Sequence, residues 1–278
     1  MRTLTAMHST AFARFLKEEE RSDATVEKYL RDVKHFIAFI GSNQVNKQRI
    51  LDYKTELIKA YAPSSANSML AALNAFLRFC GWNELCVKQF RVQRQVYRSE
   101  EKELTQAEYR RLVETAASQK NDRLSLILQT ICGTGIRVSE LRYITVEAAK
   151  RGEVTVTCKG KNRRIFLVPK LQKKLLRYAK EQKIRCGSLF LTKNGTPISR
   201  HAVWRGMKAL CQQAKVPSGK VFPHNLRHLF ARAFYRVEKD LAKLADILGH
   251  ASINTTRIYL VETGAEHRQK MELLRLIL

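Results

Sequence analysis

Residues 154–168, VTVTCKGKNRRIFLV, are where the hydropathy period of this 278-residue chain changes. Val154, Val156 and Cys158 alternate with threonines, the polar run Lys159-Gly160-Lys161-Asn162 follows, and Ile165, Leu167 and Val168 resume the apolar pattern. Alternation on both sides of a glycine-bearing polar tetrad reads as a β-hairpin with a basic tip. Nearly everything else repeats at helical spacing. The expected fold is therefore mainly α, with one small β-hairpin or sheet.

Upstream of the hairpin, Thr105-Gln-Ala-Glu108 is a capping-box pattern that opens a helix of about 105–117. A second helix is expected at 122–132, then a Gly133-Thr134-Gly135 turn and a short helix from Arg137. Downstream, the pattern predicts a helix over 170–183, a short strand at 189–192 and a turn at Asn194-Gly195. From Arg200 it is helical to the end, broken at Pro217, Pro223 and Gly249. The first hundred residues read as a bundle of four helices. The second carries Val26, Tyr29, Leu30, Val33, Phe36, Ile37 and Ile40 on one side, and the fourth carries Met69, Leu70, Leu73, Phe76 and Leu77. Lys88 to Lys102 is polar and aperiodic, so two domains are expected, 1–98 and 99–278.

The chain holds 51 Lys+Arg against 25 Asp+Glu, a formal charge of +26. Both parts share the excess, with 16 basic against 9 acidic residues in 1–98 and 35 against 16 in 99–278. Such a surface attracts a polyanion, either nucleic acid or an anionic membrane. At 45% hydrophobic residues, wholesale disorder is excluded. No signal-peptide run or membrane span is evident, so a cytoplasmic protein without a membrane partner is expected. The six cysteines form no CxxC pair and no zinc spacing, which suggests reduced, mostly buried thiols.

Four segments place phosphate-binding or proton-transfer groups where the chain turns. Arg137 begins the helix after the Gly133–Gly135 turn, where its fork and free N–H groups can face a phosphate; pairing with Glu140 at i+3 is the plainer alternative. Lys159 and Lys161, followed by Arg163 and Arg164, make the hairpin tip either a solvated turn or an arm reaching for nucleic acid. Pro223-His224-Asn-Leu-Arg227-His228 sets His224 and Arg227 on one face at a helix N-terminus, where an imidazole beside a guanidinium is costly without an anion. Leu248-Gly249-His250 ends one helix, Ser252 or Asn254 can cap the next, and Tyr259 lies along it, where an isolated tyrosine reads as a core or rim residue.

Arg137, Lys159, His224-x-x-Arg227, Gly249-His250 and Tyr259, in that order, resemble the tyrosine recombinase (phage integrase) family over nearly the whole chain. The resemblance implies a helical, SAM-like core-binding domain followed by an α-rich catalytic domain. It implies paired arginines at Arg137 and Arg227, histidines at His224 and His250, a hairpin lysine at Lys159 with Lys161 as its alternative, and the nucleophile Tyr259. Glu140 would orient a neighbouring Arg or His. Asn225 stands where the family commonly has an acidic residue, and Leu229 where it often has a small polar one.

A phenol of pKa about 10 is ionised to about one part in a thousand at pH 7, so such a nucleophile needs a base or strong local positive charge. The arginines would hold the non-bridging oxygens, His224 would accept the tyrosine proton, Lys159 would protonate the leaving 5′-oxygen, and His250 would donate to the phosphate. The 3′-phosphotyrosine ester conserves the energy of the bond broken, so the implied chemistry needs no cofactor, metal or ATP. The implied partners are duplex DNA with paired core sites and a homotetramer on two such sites. The apolar end, Met271, Leu273, Leu274, Leu276, Ile277 and Leu278, would pack on its own domain or dock on a neighbouring protomer. The helical first part begins almost at residue 1, so a simple Xer-like or mobile-element recombinase without an extra arm-binding domain is expected. A catalytically silent DNA-binding architectural protein and a relaxing enzyme of the type IB topoisomerase kind are the rivals.

Overall fold

The computed structural model describes residues 6–41, 44–92, 100–158, 161–260 and 264–274. The chain divides into two compact units, Met1–Arg94 and Gln95–Leu278.

The first unit is helical: α1 (Ala6–Glu18), α2 (Asp23–Ile40), α3 (Lys47–Ala60) and α4 (Pro63–Phe79). Proline at the first position of α4 costs nothing there, because that N–H has no helical acceptor. Phe36, Ile40, Ile50, Tyr53, Leu57, Leu70, Leu73 and Leu77 fuse into one core, and Phe12, Leu16, Val26, Val33 and Phe76 into another. Two asparagines of α4 hold the segment that follows. Asn74 Nδ2 donates to the Val87 carbonyl and its Oδ1 accepts from the Val87 N–H, at 2.8 and 2.9 Å. Asn67 does the same with Phe90. A primary amide offers one donor edge and one acceptor edge, so it substitutes for a neighbouring strand.

The second unit begins with α5 (Gln106–Ser118) and α6 (Asp122–Thr134), then a 3₁₀ segment, Val138–Tyr143, and α7 (Val146–Arg151). The hairpin is β1 (Glu153–Cys158) and β2 (Lys161–Phe166), antiparallel, with Val154 opposite Ile165 and Val156 opposite Arg163. Then come α8 (Pro169–Glu181), α9 (Arg200–Leu210), α10 (Pro223–Glu238), α11 (Leu241–Leu248), α12 (Ile253–Arg257), a 3₁₀ turn at Ile258–Leu260 and α13 (Gly264–Leu273). The capping box at Thr105 and Glu108 is formed in both directions, at 3.1 and 2.7 Å. Helix α6 is the centre of the core. Leu124, Leu126, Ile127, Leu128 and Ile131 are all buried, so it is covered on nearly every side.

Four local expectations are corrected. The helix from Arg137 is 3₁₀, with Arg137 as its N-cap, in keeping with the use of this tighter coil in short connectors. No strand forms at 189–192; Leu191 makes only an isolated bridge to Pro197, whose missing N–H cannot extend a ladder. A further break separates α10 from α11, where Lys239 turns left-handed (φ 59°) and the Asp240 side chain caps the next helix. Among the described cysteines only Cys211 is buried, and Cys186 is exposed.

Candidate active site

Two left-handed glycines deliver the site residues. Gly135 (φ 65°) terminates α6 and Gly249 (φ 63°) terminates α11, and each lets the backbone reverse within one residue. Beyond Gly135, Ile136 buries its side chain and Arg137 caps the 3₁₀ segment. Beyond Gly249 comes His250. Between these two elements stands the first turn of α10, with His224 right after Pro223 and Arg227 one turn on.

Arg227 is 2% exposed, among the largest fully buried side chains of the protein. It donates to the Gly135 carbonyl, to the Leu248 carbonyl at 2.6 Å and to His250 Nε2 at 3.0 Å. Burial and the nearby Arg137 push its pKa down to about 10, which leaves it charged at neutral pH. Arg137, at 37% side-chain exposure, donates to Glu140 at 3.0 Å and to the Gly249 carbonyl at 3.1 Å. Its backbone N–H is taken by the same carboxylate at 2.9 Å, so the i+3 pairing with Glu140 is real and that N–H is not turned outward. Burial alone would raise the Glu140 pKa. The Arg137 N–H and the guanidinium groups of Arg163 and Arg137 outweigh it and hold the carboxyl below its usual range.

His250 accepts from Arg227 at Nε2, so its proton sits on Nδ1, where Thr256 Oγ1 lies 2.8 Å away. Burial, followed by Arg227, Arg137 and Arg163, pushes this imidazole down to about 4, and it is neutral at pH 7. The expected donation from His250 to a phosphate therefore requires Arg227 to release Nε2 and a proton to arrive there. Tyr259 is buried, with its hydroxyl 3.4 Å from His224 Nε2. Its ring stacks on His250 at 5.3 Å and 23°, and the rings of His228 and His224 lie at 4.2 and 5.5 Å.

Arg137, Glu140, His224, Arg227, His250 and Tyr259 thus converge, although 122 positions separate the first from the last in sequence. Lys159 lies outside the described residues. A cleft of about 590 Å³ opens between Arg137 and Arg227 on one side and Arg200, His201 and Trp204 of α9 on the other. Asn225 is buried and donates to the carbonyls of Lys102 and Lys220, which ties the start of α10 to the rest of its unit.

Three contributors escaped the sequence reading. His228 was legible as i+4 from His224, on the same helical face. Arg163 was legible from strand alternation, since it shares a face with buried Ile165 and lies opposite buried Val156. Thr256 carried no signal beyond being a polar residue in a short helix.

A mainly helical pair of units, with arginines, histidines and a tyrosine gathered from four remote stretches, defines the class. The phage integrase family model matches residues 102–265, and that of the phage integrase N-terminal SAM-like domain matches residues 10–84, so the chain belongs to the phage integrase family of tyrosine recombinases. It is 30% identical over 269 residues to tyrosine recombinase XerA of Pyrococcus furiosus, covering 94% of this chain and 91% of that relative. A crystal structure of XerA recombinase aligns with 99% of this chain and 100% of its own, at 25% identity and a TM-score of 0.54. The fold also matches a lambda integrase dimer bound to a COC′ core site, with a TM-score of 0.74 at 16% identity over 92% of this chain and 95% of the other. Among the described residues no helix is long and apolar enough to cross a membrane.

Proposed function

We propose that this protein is a site-specific, Xer-like DNA recombinase in which Tyr259 attacks the scissile phosphate of a duplex. The observation that carries the reading is the Tyr259 hydroxyl beside His224 Nε2, 3.4 Å away, at the edge of a cluster containing Arg227 and His250. Apo distances between a nucleophile and its base are often long and tighten on substrate binding.

Arg137 and Arg227 take the two non-bridging oxygens and stabilise the charge that builds in the pentacoordinate transition state. The phenolic oxygen bonds to phosphorus as its proton passes to His224 Nε2. The phosphorus–O5′ bond breaks, the departing oxygen takes a proton from Lys159, and a 3′-phosphotyrosine remains. Attack by another 5′-hydroxyl reverses these steps, so strand transfer written this way consumes neither ATP nor a metal ion. Glu140 orients Arg137 by accepting from its N–H and its guanidinium.

We assign residues 1–98 to a core-binding domain and 99–278 to the catalytic domain. Exchange between two duplexes requires four cleavages, hence a homotetramer on paired core sites. The exposure of Met271, Leu273 and Leu274, at 57%, 74% and 60%, favours docking of this end on a neighbouring protomer. The test is a nicked suicide duplex carrying a site selected from a randomised pool. A denaturation-resistant adduct is expected with the native chain, and none with Tyr259→Phe, which should bind nearly as well. An adduct with the phenylalanine variant eliminates Tyr259 as nucleophile.

A further inference from the structure

The end of helix α11 and its cap Gly249 present three carbonyls that have no acceptor role within the helix, and three arginines from three different elements occupy them in order. Arg163 Nη1 donates to Ile247 at 2.7 Å, Arg227 to Leu248 at 2.6 Å and Arg137 to Gly249 at 3.1 Å. A helix C-terminus carries partial negative charge and leaves its last carbonyls unbonded, so it is a natural seat for cations. That seat and the Glu140 carboxylate explain how three guanidinium groups share one small volume.

Two of these arginines are the phosphate ligands proposed above. Arg163 does not line the cleft that Arg137 and Arg227 border. Its side chain is 11% exposed, and its second Nη pairs with Glu140, the carboxylate that also holds Arg137. It also fills the space beside Gly249: a β-carbon there would lie 2.6 Å from Arg163 Cδ and 3.1 Å from Nε. One guanidinium thus bridges the carboxylate that orients Arg137 and the carbonyl row that precedes His250. Strand β2 fixes its place through the register with Val156.

We infer that Arg163 is a positioning residue for the recombinase reaction. It sets the spacing of Arg137, Arg227 and His250 by clamping Glu140 to the end of α11, and does not itself touch the phosphate. The inference rests on the recombinase reading. A lysine at 163 would keep the charge, but a single ammonium on a shorter reach cannot span both Glu140 and Ile247.

The experiment measures adduct formation at saturating protein on the selected suicide duplex, with the dissociation constant determined in parallel, for the native chain, Arg163→Lys and Arg163→Met. Losing hydrogen bonds to a charged group predicts a rate lower by about 10- to 100-fold in both variants, with affinity within about 3-fold of native. Thermal melting identifies any variant that fails to fold, and the lysine variant, which keeps the buried charge balance, guards against that outcome. A second substrate carries sulfur at the bridging 5′ position. Its thiolate leaves without a proton, so it restores a variant that has lost only the general acid. Lys159→Ala is expected to be rescued by the thiolate substrate and the Arg163 variants are not. Native rates in the Arg163 variants, a loss confined to affinity, or full rescue by sulfur would each overturn the assignment. Absence of an adduct with the native chain would instead strike at the recombinase reading.

Discussion

Acid should destabilise this protein partly through one imidazole, and an oxyanion should relieve that sensitivity. His250 titrates at about 4 in the fold, displaced from its ordinary 6.5 by burial and by Arg227, Arg137 and Arg163. The unfolded chain takes up this proton near pH 6.5 and the folded chain only near 4. Stability that is complete above pH 6.5 is therefore lost as pH falls toward 4. At 1.36 kcal/mol per unit the loss is at most about 3 kcal/mol, and the partial exposure of the ring reduces it. An oxyanion drawn into the arginine cluster acts in the opposite sense. At about 4 Å and an effective dielectric near 20 it favours imidazolium by about 4 kcal/mol, roughly three units, which returns the group to near 7. The assay is a proton–carbon NMR titration of the His250 Cε1–H signal in Tyr259→Phe protein, assigned with His250→Gln, with and without inorganic phosphate. The ring should remain neutral at about pH 5 without phosphate and shift up by about two units or more with it. Linkage then requires phosphate to bind more tightly as pH falls. A ring that titrates near 6.5 under both conditions would refute the claim that three guanidinium groups press upon it.

Two further outcomes follow from the packing. Gly135→Ala forces a side chain into a left-handed residue (φ 65°) with its Cβ 2.5 Å from Phe230 Cδ1, so chemical denaturation should show a loss of about 2–4 kcal/mol; cleavage should fall as well, because Arg227 bonds to this residue's carbonyl. Asn74→Ala strands both the N–H and the carbonyl of Val87 and should cost about 2 kcal/mol, whereas Asn74→Asp should cost more, since it turns a carboxylate oxygen toward that carbonyl.

Local signals were legible wherever one residue's own chemistry decides the outcome. Pro223 opens a helix, Gly249 closes one, and Thr105 with Glu108 forms the capping box as the pattern implied, whereas α6 runs on through Gly133 and Thr134, expected as a turn, before Gly135 closes it. The break at Lys239 was less visible, because no glycine or proline marks it and only the following Asp240 signals a new cap. The strand expected at 189–192 failed for want of a partner: apolar residues there satisfy a buried loop as well as a ladder. Arg163 sits among the four consecutive basic and polar residues 161–164, which read as a solvated tip, yet β2 begins at Lys161 and its pleat turns every second side chain inward.

From its sequence alone, this chain is a basic, two-part helical protein with one hairpin, and the residue types that phosphoryl transfer demands are present in family order. Those properties depend on composition, period and near neighbours, which a linear string contains. Only the tertiary structure decides that the α11 carbonyls hold three arginines, that His250 is neutral with its proton on Nδ1, and that His228 joins the rings around Tyr259. Each of these arises from groups tens of residues apart meeting in a desolvated space, where charge and hydrogen bonding depend on distance through the protein and not along the chain.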